Sequence, residues 1–337
     1  MKYVQNIVLS LAVTAFFLWL SLQGIDFDLI DDTVKSTDWL VLVFPLVFWS
    51  FGLFARAMRW RGLLGKKVDK HQAIGIIGIV YMINATIPLR AGELVRLYLS
   101  TRSDNSISGW TVLTTVLTET LLDMMSIVLL MAFILPLLSI STATVITGAV
   151  IGVGALIGFT ILLGFAHRPH IAYMLLEKLN HYVPFLQRLA LENLLEKLLQ
   201  GITPLSNWQA LRRALFWTSI IWLSSILAVW SSAQALPEIA FPAVSLPPLI
   251  LLLVATSLSA IVPFTMAGVG PFEAGVVFAL GFVNISQETA ITFGIILHVL
   301  MILHFILWGI ISIFIIRLSI TDMKGIGGYV RQKVARS

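Results

Sequence analysis

The chain has 337 residues, of which 58% are hydrophobic and 12% charged, with a formal net charge of +5 and no cysteine. Soluble proteins carry about 25% charged residues and about 45–50% apolar ones. The composition therefore excludes a soluble enzyme, a disordered chain and a disulfide-stapled secreted scaffold, and leaves an all-α polytopic membrane protein. The excess of positive charge fits basic cytoplasmic loops better than nucleic-acid binding.

The N-terminus places Lys2 before an apolar run from Ile7 to Leu22. Gln23, Gly24 and an acidic stretch follow, with no small-residue cleavage site, so 5–22 reads as a retained transmembrane helix. Further runs of spanning length fall at 39–60, 110–135, 143–166, 209–235 and 288–316. Two other stretches do not read as clean spans. Residues 73–99 begin apolar and then meet Asn84, Pro88, Arg90, Gly92, Glu93 and Arg96. Residues 248–283 are interrupted at Pro263, Gly268, Gly270 and Pro271, residues that break or kink helices.

Charge sets an expected orientation. Asp26, Asp28, Asp31, Asp32 and Asp38 precede the second run, whereas Arg59, Arg61, Lys66, Lys67 and Lys70 follow its body. The positive-inside bias puts the acidic segment outside and the basic one inside. Keeping the insert 167–208 and the tail 317–337 inside as well requires 73–99 to enter and return on the cytoplasmic side. The expected protein thus has about six full spans, two broken re-entrant hairpins (73–99 and 248–283), cytoplasmic termini and a place in the inner membrane. Its halves, 1–166 and 209–316, would form an inverted repeat, the pattern that points to a transporter's central site. The insert carries Met174, Leu175, Leu179 and Tyr182 at helical spacing, with a second amphipathic stretch over 185–199, and reads as interfacial helices.

Several charged residues sit where lipid would not tolerate them. Glu93 and Arg96 are three apart, so a short helix from Ala91 places both on one face, with Arg90 at the preceding turn. Free backbone N–H groups at that helix start, together with two guanidiniums, would make a phosphate receptor. Glu119 and Asp123 share a face one turn after Thr115, and are expected to orient Arg90 or Arg96, with a proton relay as the alternative. Glu273 could titrate, cap the short helix that follows or balance an arginine across the repeat; charge balance ranks first. Gly268 and Gly270 would let backbone approach a ligand or helix closely. His298 is expected to be buried and hydrogen-bonded, with proton coupling as the minority role, and His304 buried too. Arg56, Arg59 and Arg61 read as snorkelling anchors. No GxxxxGK[ST], HExxH or GxSxG sequence occurs, so neither ATP, a zinc helix nor a serine elbow is expected, and no cofactor or metal is implied.

The run Asn84-Ala-Thr-Ile-Pro88-Leu-Arg90-Ala-Gly92-Glu93-Leu-Val-Arg96 resembles the N…P.RxGE..R signature of the lysylphosphatidylglycerol synthase/flippase transmembrane family. Glu119 to Asp123 resembles that family's downstream acidic element, with Thr120 where the family often has Arg. Pro263 to Glu273 resembles its second Pro/Gly element, with Gly268, Gly270 and Glu273 in register. The resemblance implies lipid translocation. Members with a fused soluble domain make aminoacylated lipid; this chain ends soon after its last span and is not expected to be an enzyme. Asn84, Arg90, Glu93, Arg96, Glu119, Asp123, Gly268, Gly270 and Glu273 are the expected substrate-binding residues. The expected partner is a membrane lipid with an anionic headgroup or a polyprenyl phosphate. The alternatives are a gradient-coupled carrier of a small anion and a membrane subunit serving lipid- or glycan-synthesis proteins.

Overall fold

A computed structural model describes residues 26–87, 90–104, 106–138, 142–182, 203–240, 244–259 and 268–318, together with a few isolated positions elsewhere. Nearly all of the expected first span 5–22, Pro88, Pro263, most of the stretch 185–199 and nearly all of the tail lie outside the described residues. Among the described residues the secondary structure is helical and contains no strand.

The helices, in chain order, are α1 (Phe27–Ser36), α2 (Val43–Leu63), α3 (Lys70–Thr86), α4 (Gly92–Ser103), α5 (Gly109–Ile134) and α6 (Thr142–His167). They continue with α7 (Pro169–Tyr182), α8 (Trp208–Ala233), α9 (Leu246–Ser259), α10 (Pro271–Gly281) and α11 (Gln287–Ile315). Three stretches are long and apolar enough to cross a membrane among the described residues: Gly109–Leu137, Trp208–Ala233 and Gln287–Ile315. They correspond to the expected spans at 110–135, 209–235 and 288–316. The expected run 39–60 forms α2 over Val43–Leu63, and 143–166 forms α6.

Helix ends follow local chemistry. Ser108 accepts the Thr111 N–H at 3.0 Å to start α5, and Ser286 accepts the Thr289 N–H at 3.1 Å to start α11. The acidic segment before α2 holds the short helix α1. Asp26 caps that helix by accepting the Asp28 N–H at 2.9 Å, and Lys35 bridges to Asp31 one turn away.

The chain divides into two compact units. The first comprises Met1–Ala57, Lys70–Leu99 and Ile220–Ser337; the second comprises Met58–Asp69 and Ser100–Ser219. Both broken stretches belong to the first unit. Within it, α11 runs antiparallel to α3. Gly75 and Gly78 of α3 lie against Ser312 and Ile316, Gly309 of α11 lies against Met82, and the Tyr81 and Phe305 rings are 5.0 Å apart. The other half of α11 holds α10, with Gly294 against Val276 and the Phe272 ring stacked on His298 at 4.2 Å.

The arms of the broken stretches are short. At 1.5 Å per residue, the 14 residues of α9 reach about 21 Å and the 11 residues of α10 about 17 Å, against a hydrocarbon core of about 30 Å. Gly275 faces Ala255, and Gly268 faces Ser259, so α9 and α10 fold back on one another. The 17 residues of α3 reach about 26 Å and the 12 of α4 about 18 Å.

In the second unit Leu63, Leu122, Leu205, Leu211 and Ala214 form a buried cluster, with Phe159 and Leu163 packed against it.

Candidate functional site

The first break is built from the end of α3 and the start of α4. Asn84, in the last turn of α3, turns its Oδ1 onto the Gly92 N–H at 2.8 Å. Gly92 is required for this approach: a Cβ there would collide with the Val80 carbonyl oxygen and lie 2.6 Å from Asn84 Oδ1. The remaining donors at the helix start are also used. The Glu93 N–H bonds the Arg90 carbonyl at 3.1 Å, and the Leu94 N–H bonds the Ala91 carbonyl at 3.1 Å. The expected row of free backbone N–H groups at this helix start is therefore absent, because Asn84 and local turn carbonyls satisfy it.

The two arginines of the motif have different surroundings. Arg90 is exposed and holds a left-handed φ of 51°, which a residue with a Cβ adopts only when its neighbours fix it. Arg96 is 4% exposed, and its Nη1 lies 3.4 Å from Glu93 Oε2, one turn back on α4. The expected shared face of Glu93 and Arg96 is present.

The second break ends on α10. Gly268 and Gly270 hold φ of 86° and 94°, values that favour glycine, so both serve the turn. Glu273 reaches back one turn and accepts the Gly270 N–H at 2.6 Å. Its other oxygen lies 2.6 Å from His298 Nδ1 on α11. Glu273 is 3% exposed and His298 1%. Of the roles expected for Glu273, the helix cap is present; among the described residues its second partner is a histidine and not the arginine of the first-ranked role. His298 is buried and hydrogen-bonded, as expected. The two breaks share a device: one side-chain oxygen closes onto a glycine N–H where the second arm begins.

Glu119 and Asp123 belong to the second unit, where Arg59 joins them. Arg59 Nη1 donates to Asp123 Oδ1 at 2.7 Å and Nη2 to Asp123 Oδ2 at 3.0 Å, a forked geometry. Its Nε lies 3.6 Å from Glu119 Oε1, and Nη1 also donates to Thr218 Oγ1 at 3.1 Å. Arg59 is 2% exposed, so it is not a snorkelling anchor. It ties α2, α5 and α8 together. Its neighbours behave differently: Arg56 lies over the Tyr81 ring at 5.5 Å, and Arg61 Nε bonds the Val68 carbonyl at 2.7 Å. Thr115 accepts from Trp60 Nε1 at 3.2 Å, and Thr120 bonds the Val116 carbonyl at 2.9 Å. Sequence reasoning missed the role of Arg59. The available signal was a guanidinium inside an otherwise apolar helix that must pass between other helices.

A family model described as the lysylphosphatidylglycerol synthase TM region matches residues 7–309. No curated protein matches the chain.

Proposed function

Because the chain belongs to the family of lysylphosphatidylglycerol synthase transmembrane regions, we propose that it is a lipid translocase. It moves an anionic phospholipid or a polyprenyl-phosphate-linked lipid between leaflets without ATP, in the cytoplasmic membrane, with both termini on the cytoplasmic side. The observation that carries this reading is Arg90: an exposed guanidinium held at φ 51° in a break between two helices. Irregular backbone at membrane depth persists only where protein or water surrounds it. A cation placed there needs an anionic partner, and a phosphate offers the forked acceptors a guanidinium fits.

The other motif residues take supporting roles in this proposal. Asn84 and Gly92 fix the start of α4, and Glu93 holds Arg96 on that helix. Gly268, Gly270 and Glu273 shape the second break, with His298 bracing Glu273. Glu119 and Asp123 hold Arg59 and through it the second unit. The acyl or prenyl chains stay in the bilayer while the headgroup passes Arg90.

The test is translocation of a fluorescent anionic phospholipid in liposomes containing the purified protein. A charge-assisted hydrogen bond contributes about 1.5–3 kcal/mol, so Arg90→Gln should slow translocation about tenfold or more. An unchanged rate in a folded Arg90→Gln protein would remove Arg90 from the substrate path.

A further inference from the structure

The second unit contains a cleft that none of the motif residues enters. Its volume is about 430 Å³, and Lys66, Gln209, Arg212, Arg213 and Phe216 line it. It is a shallow depression open to its surroundings, not an enclosed pocket. Three of the five lining residues are cations and none is acidic. Among the described residues no carboxylate pairs with Lys66, Arg212 or Arg213.

The cations are positioned by their surroundings. The chain leaves α2 through Gly65 at φ 68° and Lys66 at φ 63°, and the Lys66 N–H bonds the Arg61 carbonyl at 2.9 Å. This closure of the helix end fixes where the Lys66 stem departs. Arg213 is held by Gln209, through the backbone carbonyl and Oε1, both at 3.2 Å. Arg212 lies over the Trp208 ring at 5.8 Å, which leaves the edge of its guanidinium available. Trp208 and Phe216 are 64% and 58% exposed. They flank the cations along the first two turns of α8, a helix long and apolar enough to span. Aromatic residues with Lys and Arg at the end of a span mark the headgroup level of a bilayer.

We propose that this cleft is a binding site for a phosphate-bearing anion, supplied as the headgroup of a bilayer lipid. The three cations meet the phosphate, Gln209 offers its amide N–H groups to the same group, and Phe216 lies along the lipid's first carbons. The site requires only that the chain is embedded in a membrane, so it stands or falls separately from transport.

The test is native mass spectrometry of the full chain after exposure to equal amounts of phosphatidylglycerol and phosphatidylcholine. It is run in the natural sequence and in an Arg90→Gln background, which removes retention at the first break. Phosphatidylglycerol should be preferred in both. Near a membrane surface each Lys or Arg adds roughly 1 kcal/mol toward anionic lipid, so Arg212→Gln with Arg213→Gln should reduce the preference by about tenfold or more. Lys66→Gln should reduce it by a smaller factor, and it carries the test if the double variant does not fold. A folded variant that keeps the full preference overturns the site. Displacement of phosphatidylglycerol by glycerol 1-phosphate supports phosphate as the recognised group. Saturable binding of glycerol 1-phosphate by a protein without phosphatidylglycerol preference overturns the bilayer as its source.

Discussion

Arg59 and Asp123, 64 residues apart in the chain, meet through both terminal nitrogens of the guanidinium and both oxygens of the carboxylate. Glu119 adds a second negative charge on the same face of α5. Removing the cation leaves a buried carboxylate, Glu119, beside a partly exposed one, Asp123, with no cation between them. Breaking a fully buried pair from one side costs about 3–5 kcal/mol, and the exposure of Asp123 brings the expected loss below that range. Arg59→Leu should therefore lower the melting temperature of the purified protein sharply. Adding Glu119→Gln and Asp123→Asn to Arg59→Leu should recover most of the loss. Failure of that rescue would show that Arg59 acts through something other than these two acids.

Asn84 supplies an acceptor, and its amide nitrogen is incidental to that bond. Asn84→Asp should keep the Gly92 N–H protected in hydrogen exchange, and Asn84→Ala should expose it. An unsatisfied buried donor costs about 1–3 kcal/mol, so Asn84→Ala should also melt earlier. Equal protection in all three proteins would place the Gly92 bond elsewhere.

Glu273 predicts a similar contrast. Glu273→Gln keeps an oxygen for the Gly270 N–H and a polar group toward His298, so it should stay folded. Glu273→Ala leaves the buried Gly270 N–H without its acceptor and should lose about 1–3 kcal/mol. Chemical denaturation followed by circular dichroism compares the two. Equal stabilities would mean that the Glu273 bonds contribute nothing net.

The α3–α11 seam predicts graded damage. A methyl at Gly78 meets first Ser312 Oγ, which can rotate away, and then, at 3.2 Å, the Trp308 carbonyl; one at Gly309 meets Met82 Cβ, which no rotamer change moves. Gly309→Ala should therefore lower the melting temperature more than Gly78→Ala.

Asp104 gives a pH prediction outside the spans. The Ser106 N–H, at 2.7 Å, holds its carboxyl below the ordinary value of 3.8. A depressed folded pKa means the bond's support is complete above 3.8 and is lost as pH falls through the lower folded value. Asp104→Asn keeps an acceptor but cannot titrate, so the acid-side loss from this turn should disappear. Melting curves across that range read the difference.

The sequence showed where the helices break, because Pro and Gly with charges in apolar runs leave few alternatives. It also showed that Glu93 and Arg96 share a face, since helical spacing alone decides that. It did not show that Asn84 reaches Gly92, because the bond depends on how two arms fold back. Nor did it separate Arg59 from Arg56 and Arg61. Three arginines on one helix end look alike until neighbouring helices decide which is enclosed. For Glu273 the helix-capping alternative was legible, since Gly270 is three residues away, but the bond to His298 was not, because that partner lies on α11, 25 residues away.

Helix α11 touches α3 along one half and α10 along the other, and the two contacts differ in kind. Against α3 the contact is close packing of small residues, glycine against serine, isoleucine and methionine, with no ion pair among the described residues across it. Against α10 the helix is fastened by the Glu273–His298 bond and the Phe272 stack. Any axial shift of α11 against α3 therefore carries α10 with it, so the arm after the second break travels with α11 while α3, before the first break, stays behind.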